Sequence, residues 1–205
     1  MSRSNLKSLA LFALAFLSCQ PEGDSPTSGH IAVVASESLA PMIRSEVEEF
    51  ERIYEKTQID VSVTSTRVAI AQLLRGEVKT IFTPRRLNAE ERQIAARYAI
   101  KVDTFRIALD GIAVIVQRKN PLTRLSLEQL AAIYRGEPRA ELDKKLLPLA
   151  LSRNTATAEL FLQKVVHDSV FARAAYVCST SAQLLALVAQ REEAIGFVGM
   201  SWLSG

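Results

Sequence analysis

Three times in this chain a short apolar run ends in hydroxyl-bearing residues and passes straight into a segment of helical periodicity. "HIAVVAS" runs into Ser36-Glu37-Ser38, and Ile43, Val47, Phe50 and Tyr54 then recur at helical spacing behind Pro41. "IDVSVTS" alternates Ile59, Val61 and Val63 with polar residues, the pattern of a half-buried strand. It leads through Thr64-Ser65-Thr66 into "TRVAIAQLLRGE", a helix expected to end at Gly76. "LLPLALS" leads through Thr155-Ala156-Thr157 into "TAELFLQKVVHD", with Leu160, Phe161, Lys164 and Val165 expected along one helical face.

Other segments extend the alternation. "TIF" fits a short strand, and Asn88 with Glu91 spells a capping box for "AEERQIAARYA". "VDTFRIALDGIAVIVQRKNP" is expected to be β-rich along its length. Ser126 with Gln129 caps "LEQLAAIYRGE", Thr180 with Gln183 caps "AQLLALVAQREE", and "AIGFVG" forms a last strand. Strand and helix alternating in this way predict an α/β protein with mostly parallel sheets and helices on both faces. Ligands of such sheets bind beyond the carboxyl ends of the strands, where the helices begin.

That placement gives the hydroxyl-rich junctions two possible uses. Ser, Thr and Asn side chains cap the orphan N–H groups of a helix start. The same N–H groups, with hydroxyls beside them, can instead hold an anion. Three junctions of one kind favour convergence on a small anion, and capping alone remains open at this point.

The first 29 residues carry Arg3 and Lys7, then a short apolar core from Leu9 to Leu17, then Cys19 and a polar stretch to Gly29. This is an export-signal pattern, and its core is far shorter than the ~20 residues a membrane span needs. "FLSC" ahead of a Pro/Gly/Ser-containing tether is similar to a bacterial lipoprotein signal, in which Cys19 would carry lipid. Without Arg3 and Lys7 the chain holds 23 basic and 22 acidic residues, so its net charge falls from +3 to +1. The sequence pI near 9.0 is therefore no argument for nucleic acid, and no basic stripe with interleaved aromatics is present. With lipid on Cys19, the other cysteine, Cys178, has no disulfide partner, and its apolar surroundings in "AAYVCSTS" read as a buried inert thiol. His30 and His167 are the only histidines, without Cys or acidic neighbours at ligand spacing. No metal, cofactor or nucleophile motif is expected, and the chain is not expected to be an enzyme.

From about Ile31 to Leu203 the chain resembles the phosphate-binding lipoproteins of ABC importers, which are type II periplasmic binding proteins. "LDGIAVIVQRKNPLTRLSLEQLAAIYRGE" carries the resemblance most strongly, and "EEAIGFVGMSWL" is similar to the family's closing strand. "SESLAP", "STRVAIAQLLRGEV" and "TPRRLNAEE" are similar to its first three anion loops. The resemblance implies two α/β lobes around a cleft, lobe one over 30–108 and lobe two over 109–205, after a signal peptide over 1–18 and a tether over 19–29. It also implies a lobe one that lacks elements the family adds after its return crossing. Its expected partners are inorganic phosphate or a similar oxyanion, the importer's membrane subunits and, through the lipid, the membrane. The implied location is the periplasm or the bacterial cell surface.

The family's ligand positions fall on this chain unevenly. Ser38 keeps the usual residue type, and Leu39 would offer its backbone N–H. Thr66 replaces the Ser of the second loop, with Arg67 where Gly is usual. The third loop reads Thr83-Pro84-Arg85, and Pro84 has no N–H to donate. The fourth reads Thr155-Ala156-Thr157 in place of Ser-Gly-Thr, with Leu151 at the position of the family's Arg and Arg153 two residues away. Arg67, Arg85 and Arg153 are the candidate charged ligands, because a guanidinium binds an oxyanion through two parallel N–H bonds. Two functions follow from the resemblance and its departures. One is phosphate capture for an importer. The other is a degenerate binding-lobe lipoprotein that senses or interacts in the envelope without transport.

Overall fold

The computed structural model describes residues 25–137, 146–168, 170–171 and 176–203. Cys19 and the apolar segment before it lie outside the described residues. Among the described residues no helix is long and apolar enough to cross a membrane.

Parallel strands β1 (Gly29–Ser36), β2 (Thr57–Thr64) and β3 (Ile81–Phe82) form the first sheet, in the order β2-β1-β3. Around it run α1 (Ala40–Ile53), entered through a 3₁₀ turn at Glu37–Leu39, then α2 (Thr66–Leu74) and α3 (Ala89–Arg97). Ser36 lies opposite Thr64 and Ala35 opposite Phe82. The three segments leaving this sheet at its carboxyl end, after Ser36, Thr64 and Phe82, therefore start side by side. That register brings the first three sequence-predicted loops together.

The second sheet holds β4 (Ile112–Val116), β5 (Leu147–Leu151), β6 (Tyr176–Cys178) and β7 (Ala194–Gly199) in the order β4-β7-β5-β6. Only the β4–β7 pairing is antiparallel. Its helices are α4 (Leu127–Arg135), α5 (Ala156–Phe161) and α6 (Ser181–Gln190). The expected start signals are used: Asn88 with Glu91 and Ser126 with Gln129 form full capping boxes, and Thr180 accepts from the Gln183 N–H. Gly136 ends α4 at φ 69°, a left-handed conformation that glycine adopts without a Cβ penalty.

Most of the core lies in this second lobe. Phe161 and Phe197 stack with ring centroids 3.9 Å apart and 3° between planes, and Tyr134 meets both edge-on. The buried Tyr134 hydroxyl contacts the Leu149 and Ile195 carbonyls at 3.1 and 3.2 Å, which ties α4 to two strands. Cys178 is a buried free thiol there, and burial pushes its pKa up. The first lobe's own buried cluster is Ala35, Leu39 and Ile43, with Met42, Val47, Val61 and Phe82 packed against it.

Two expectations are corrected. In the stretch from Val102 to Pro121 only Ile112–Val116 forms a strand. Residues 101–111 have no ladder partner among the described residues, so their backbone groups gain nothing from an extended pairing, and Leu109 is 86% exposed. The helix face of "TAELFLQKVVHD" is also rotated. The chain passes into π-type winding at Leu162–Val166, which buries Phe161, Leu162 and Val166 and leaves Leu160 and Lys164 outside.

Candidate functional site

The carboxyl end of the first sheet meets the carboxyl end of the second. Thr66, the first residue of α2, accepts at its Oγ1 a hydrogen bond from the Ala156 N–H that opens α5, at 3.2 Å. The Arg67 N–H reaches the Asn154 carbonyl at 3.4 Å. Glu37 of the first junction accepts from both the N–H and the hydroxyl of Ser181, the start of α6, at 2.7 and 3.0 Å. The Ser201 hydroxyl donates to the Ser38 carbonyl at 2.7 Å, and the Trp202 indole N–H donates to the Glu37 carbonyl.

The junctions that looked alike in sequence behave differently. Thr155 is a plain cap: its Oγ1 accepts from the Ala158 N–H at 3.2 Å. Ser36 and Ser65 stand at the equivalent N-cap positions before the Glu37–Leu39 turn and before α2, and neither side chain caps. Ser36 and Ser38 are buried, at 0% and 2% exposure, and among the described residues their hydroxyl oxygens have no hydrogen-bond partner. Burying a hydroxyl without a partner costs about 1–3 kcal/mol in proteins, so each calls for a physical reason. Leu39 is buried beside them at the start of α1, and Thr157 is buried on α5.

The candidate arginines divide as well. Arg85 donates from Nε to Glu159 at 2.7 Å and from Nη1 and Nη2 to Glu91 at 2.7 and 2.9 Å. Arg67 meets the other Glu159 oxygen from Nε at 2.9 Å and from Nη2 at 2.8 Å. Arg153 has no carboxylate partner among the described residues, and it lines a cleft of about 790 Å³ with Arg67, Glu159, His167 and Asp168. The Glu91 hydrogen bonds first, then the charges of Glu159 and Glu91, hold the Arg85 guanidinium above its ordinary pKa despite its burial. Burial pushes Glu91 up, but its bonds to Arg85 and the Asn88 N–H, with the charges of Arg85 and Arg67, outweigh that and hold it below the usual carboxylate range. Burial dominates at Glu37 and raises its carboxyl, against two opposing bonds from Ser181.

Sequence reading missed Glu37, Glu91, Glu159 and Ser181 as site residues. Glu91 reads in sequence only as the capping-box partner of Asn88, Ser181 carries no mark beyond following the Thr180 cap, and Glu159 has the spacing of an ordinary first-turn acid. Glu159 meets Arg67 across 92 positions and Arg85 across 74, so no local pattern marks it.

Two α/β lobes that present the carboxyl ends of their strands to one another define a protein of the type II periplasmic-binding class. The chain belongs to the PBP superfamily, whose domain model matches residues 20–204. It is similar to the phosphate-binding protein PstS of Staphylococcus aureus, 24% identical over 188 residues that cover 88% of this chain and 57% of that one. The PstS of Pseudomonas aeruginosa is 27% identical over 111 residues, 54% of this chain and 34% of that one. The chain thus spans between a third and three fifths of the length of these relatives. Among solved structures it is similar to a Clostridium perfringens chain assigned as a phosphate ABC transporter substrate-binding protein and holding phosphate. The TM-score is 0.76 and the identity 23%, over 85% of this chain and 72% of that one. At this identity the structural likeness speaks for the fold.

Proposed function

We propose that this chain captures phosphate or a similar tetrahedral oxyanion outside the cytoplasm and delivers it to the membrane subunits of an ABC importer, anchored by lipid on Cys19. One observation carries the proposal: two buried hydroxyls, Ser36 and Ser38, stand without partners where β1 gives way to α1. An anion against that helix start would receive the hydroxyls, the backbone N–H groups around Leu39 and the helix dipole together. Thr66 lies on the adjoining junction, since Ser36 and Thr64 are paired in the sheet. Arg67, Arg85 and Arg153 are the candidates for charge. Thr155, Ala156 and Thr157 open the facing helix, whose Ala156 N–H already meets Thr66 Oγ1, so the lobes would have to part for a ligand to enter between them. The named relatives are phosphate-binding proteins, which favours phosphate within the oxyanion class.

Titration calorimetry of the full chain with phosphate, sulfate and molybdate tests this reading. Phosphate should bind, and Ser38→Ala should weaken it at least tenfold, because a hydrogen bond to a charged group contributes about 1.5–3 kcal/mol. A wild-type chain that binds none of the three anions would refute capture. It would favour an envelope sensor or interaction module, a reading supported by the carboxylates already paired with Arg67 and Arg85. For the anchor, Cys19→Ala should move the protein out of the membrane fraction. Retention there would mean a different attachment.

A further inference from the structure

Arg67 and Arg85 belong to the first lobe, and both donate to a single carboxylate of the second, Glu159 on α5. Each Glu159 oxygen is taken by a different arginine, Oε1 by Arg67 at 2.8–2.9 Å and Oε2 by Arg85 at 2.7 Å. A small oxyanion between two guanidinium groups is held in the same way, by charge-assisted bonds below 3 Å to separate oxygens: here the Arg67 fork takes one and Arg85 Nε the other. Arg85 is spent further on Glu91 and on the Arg86 carbonyl, which together with Glu159 engage its Nε, Nη1 and Nη2. Two cations thus face two carboxylates, and this side of the cleft carries no surplus charge for an incoming anion. Arg85 at 19%, Glu91 at 14% and Glu159 at 25% exposure are largely withdrawn from solvent, whereas Arg67 is 55% exposed, so salt screens the Arg67 arm of the competition more than the Arg85 arm.

We infer that Glu159 is an affinity-setting residue of this cleft: a resident carboxylate that occupies Arg67 and Arg85 in the manner of an oxyanion and keeps free oxyanions from using them. The inference rests on the reading of the cleft as an anion site, and it assigns a role to a residue that no local pattern marks. Neutralising Glu159 leaves the guanidinium pair, Arg85 mostly buried and Arg67 exposed, one charge in excess, with the Arg67 fork and Arg85 Nε aimed at the place the carboxylate held. An anion of two or more oxygens then has a charged seat on Arg67 and Arg85.

The test is Glu159→Gln in the full chain, titrated with inorganic phosphate beside wild type at low and at high salt. Phosphate affinity should rise at least tenfold, the gain should shrink at high salt, and adding Arg67→Met should remove it. Glu159→Ser carries the same expectation from a smaller side chain, and far-UV circular dichroism confirms folding of each variant. Wild type that binds phosphate, with both variants folded and no tighter, overturns the inference and leaves phosphate capture standing. Binding by neither wild type nor variant overturns both. Loss of the fold in both variants would make Glu159 a structural clamp and overturn the inference as well.

Discussion

In the second lobe all six residues of β7 and the last four of β5 are buried, whereas no residue of β2 in the first lobe is. The contrast repeats in the side chains. One lobe stacks Phe161 on Phe197 under Tyr134, and the other gathers Ala35, Leu39 and Ile43. Yet the unpartnered hydroxyls and the two committed arginines belong to the thinly packed lobe, and the carboxylate that holds those arginines comes from the well-packed one. Stability and recognition are thereby divided. The second lobe supplies a rigid surface, and the first brings the polar groups, held in place in part by bonds across the cleft from Ser181, Ser201 and Trp202.

Hydrogen exchange should show this division most plainly. Opening free energies within one protein run from near zero to the global value, according to local burial. Amides of β5 and β7 should exchange on the order of a hundredfold more slowly than those of β1 and β2. Equal protection in the two sheets would mean that the lobes open as one unit and that the packing contrast has no energetic weight.

Core truncation comes next. Phe161→Ala removes the centre of the aromatic stack and should cost about 3–5 kcal/mol. Ile43→Ala, in a lobe freer to collapse around the gap, should cost near the low end for such changes, about 2 kcal/mol. Denaturant unfolding of both variants measures the difference, and a larger loss for Ile43→Ala would reverse the ranking of the lobes. Tyr134→Phe keeps the ring and deletes a hydroxyl that bridges the Leu149 and Ile195 carbonyls. A loss of about 1 kcal/mol is expected, and no loss would show the bridge to be incidental to the second lobe's stability.

The smallest effect concerns pH. The Glu37 carboxyl is raised by burial, so the folded chain binds its proton more tightly than the unfolded chain. Stability should then fall as pH rises from the ordinary carboxylate range through the raised value. Glu91 is lowered, so its contribution is present above the ordinary range and lost as pH falls through the lowered value. Glu37→Gln should flatten the first slope and Glu91→Gln the second, as read from melting temperature against pH. A Glu37→Gln protein with the wild-type slope would place the titrating group elsewhere in the cleft.

Much of this was legible in the chain because the forces involved are local. Capping boxes at Asn88 and Ser126 are short-range hydrogen-bond patterns, and alternation in "IDVSVTS" is a direct consequence of the two-residue period of a strand. The α/β class, strand-by-strand for most elements, and the membership of Ser38, Leu39 and Thr66 in adjoining junctions followed from such patterns together with the family resemblance. The short strand β6 is not marked in sequence, since three residues carry too little periodicity, and residues 102–111 read as β-rich because such a stretch does not say whether a neighbour is present to pair with it.

What only the tertiary structure decided is how three similar junctions are used. Thr155 spends its hydroxyl on the first turn of its own helix, while Ser36 and Ser38 are buried with theirs uncommitted. Arg67 and Arg85 read as free cations in sequence and are paired in space, because Glu159 arrives from a separate lobe. A residue's type fixes what bonds it can make; which of them it makes depends on the groups that folding brings within 3 Å, and for long, mobile, charged side chains those groups come from anywhere in the chain.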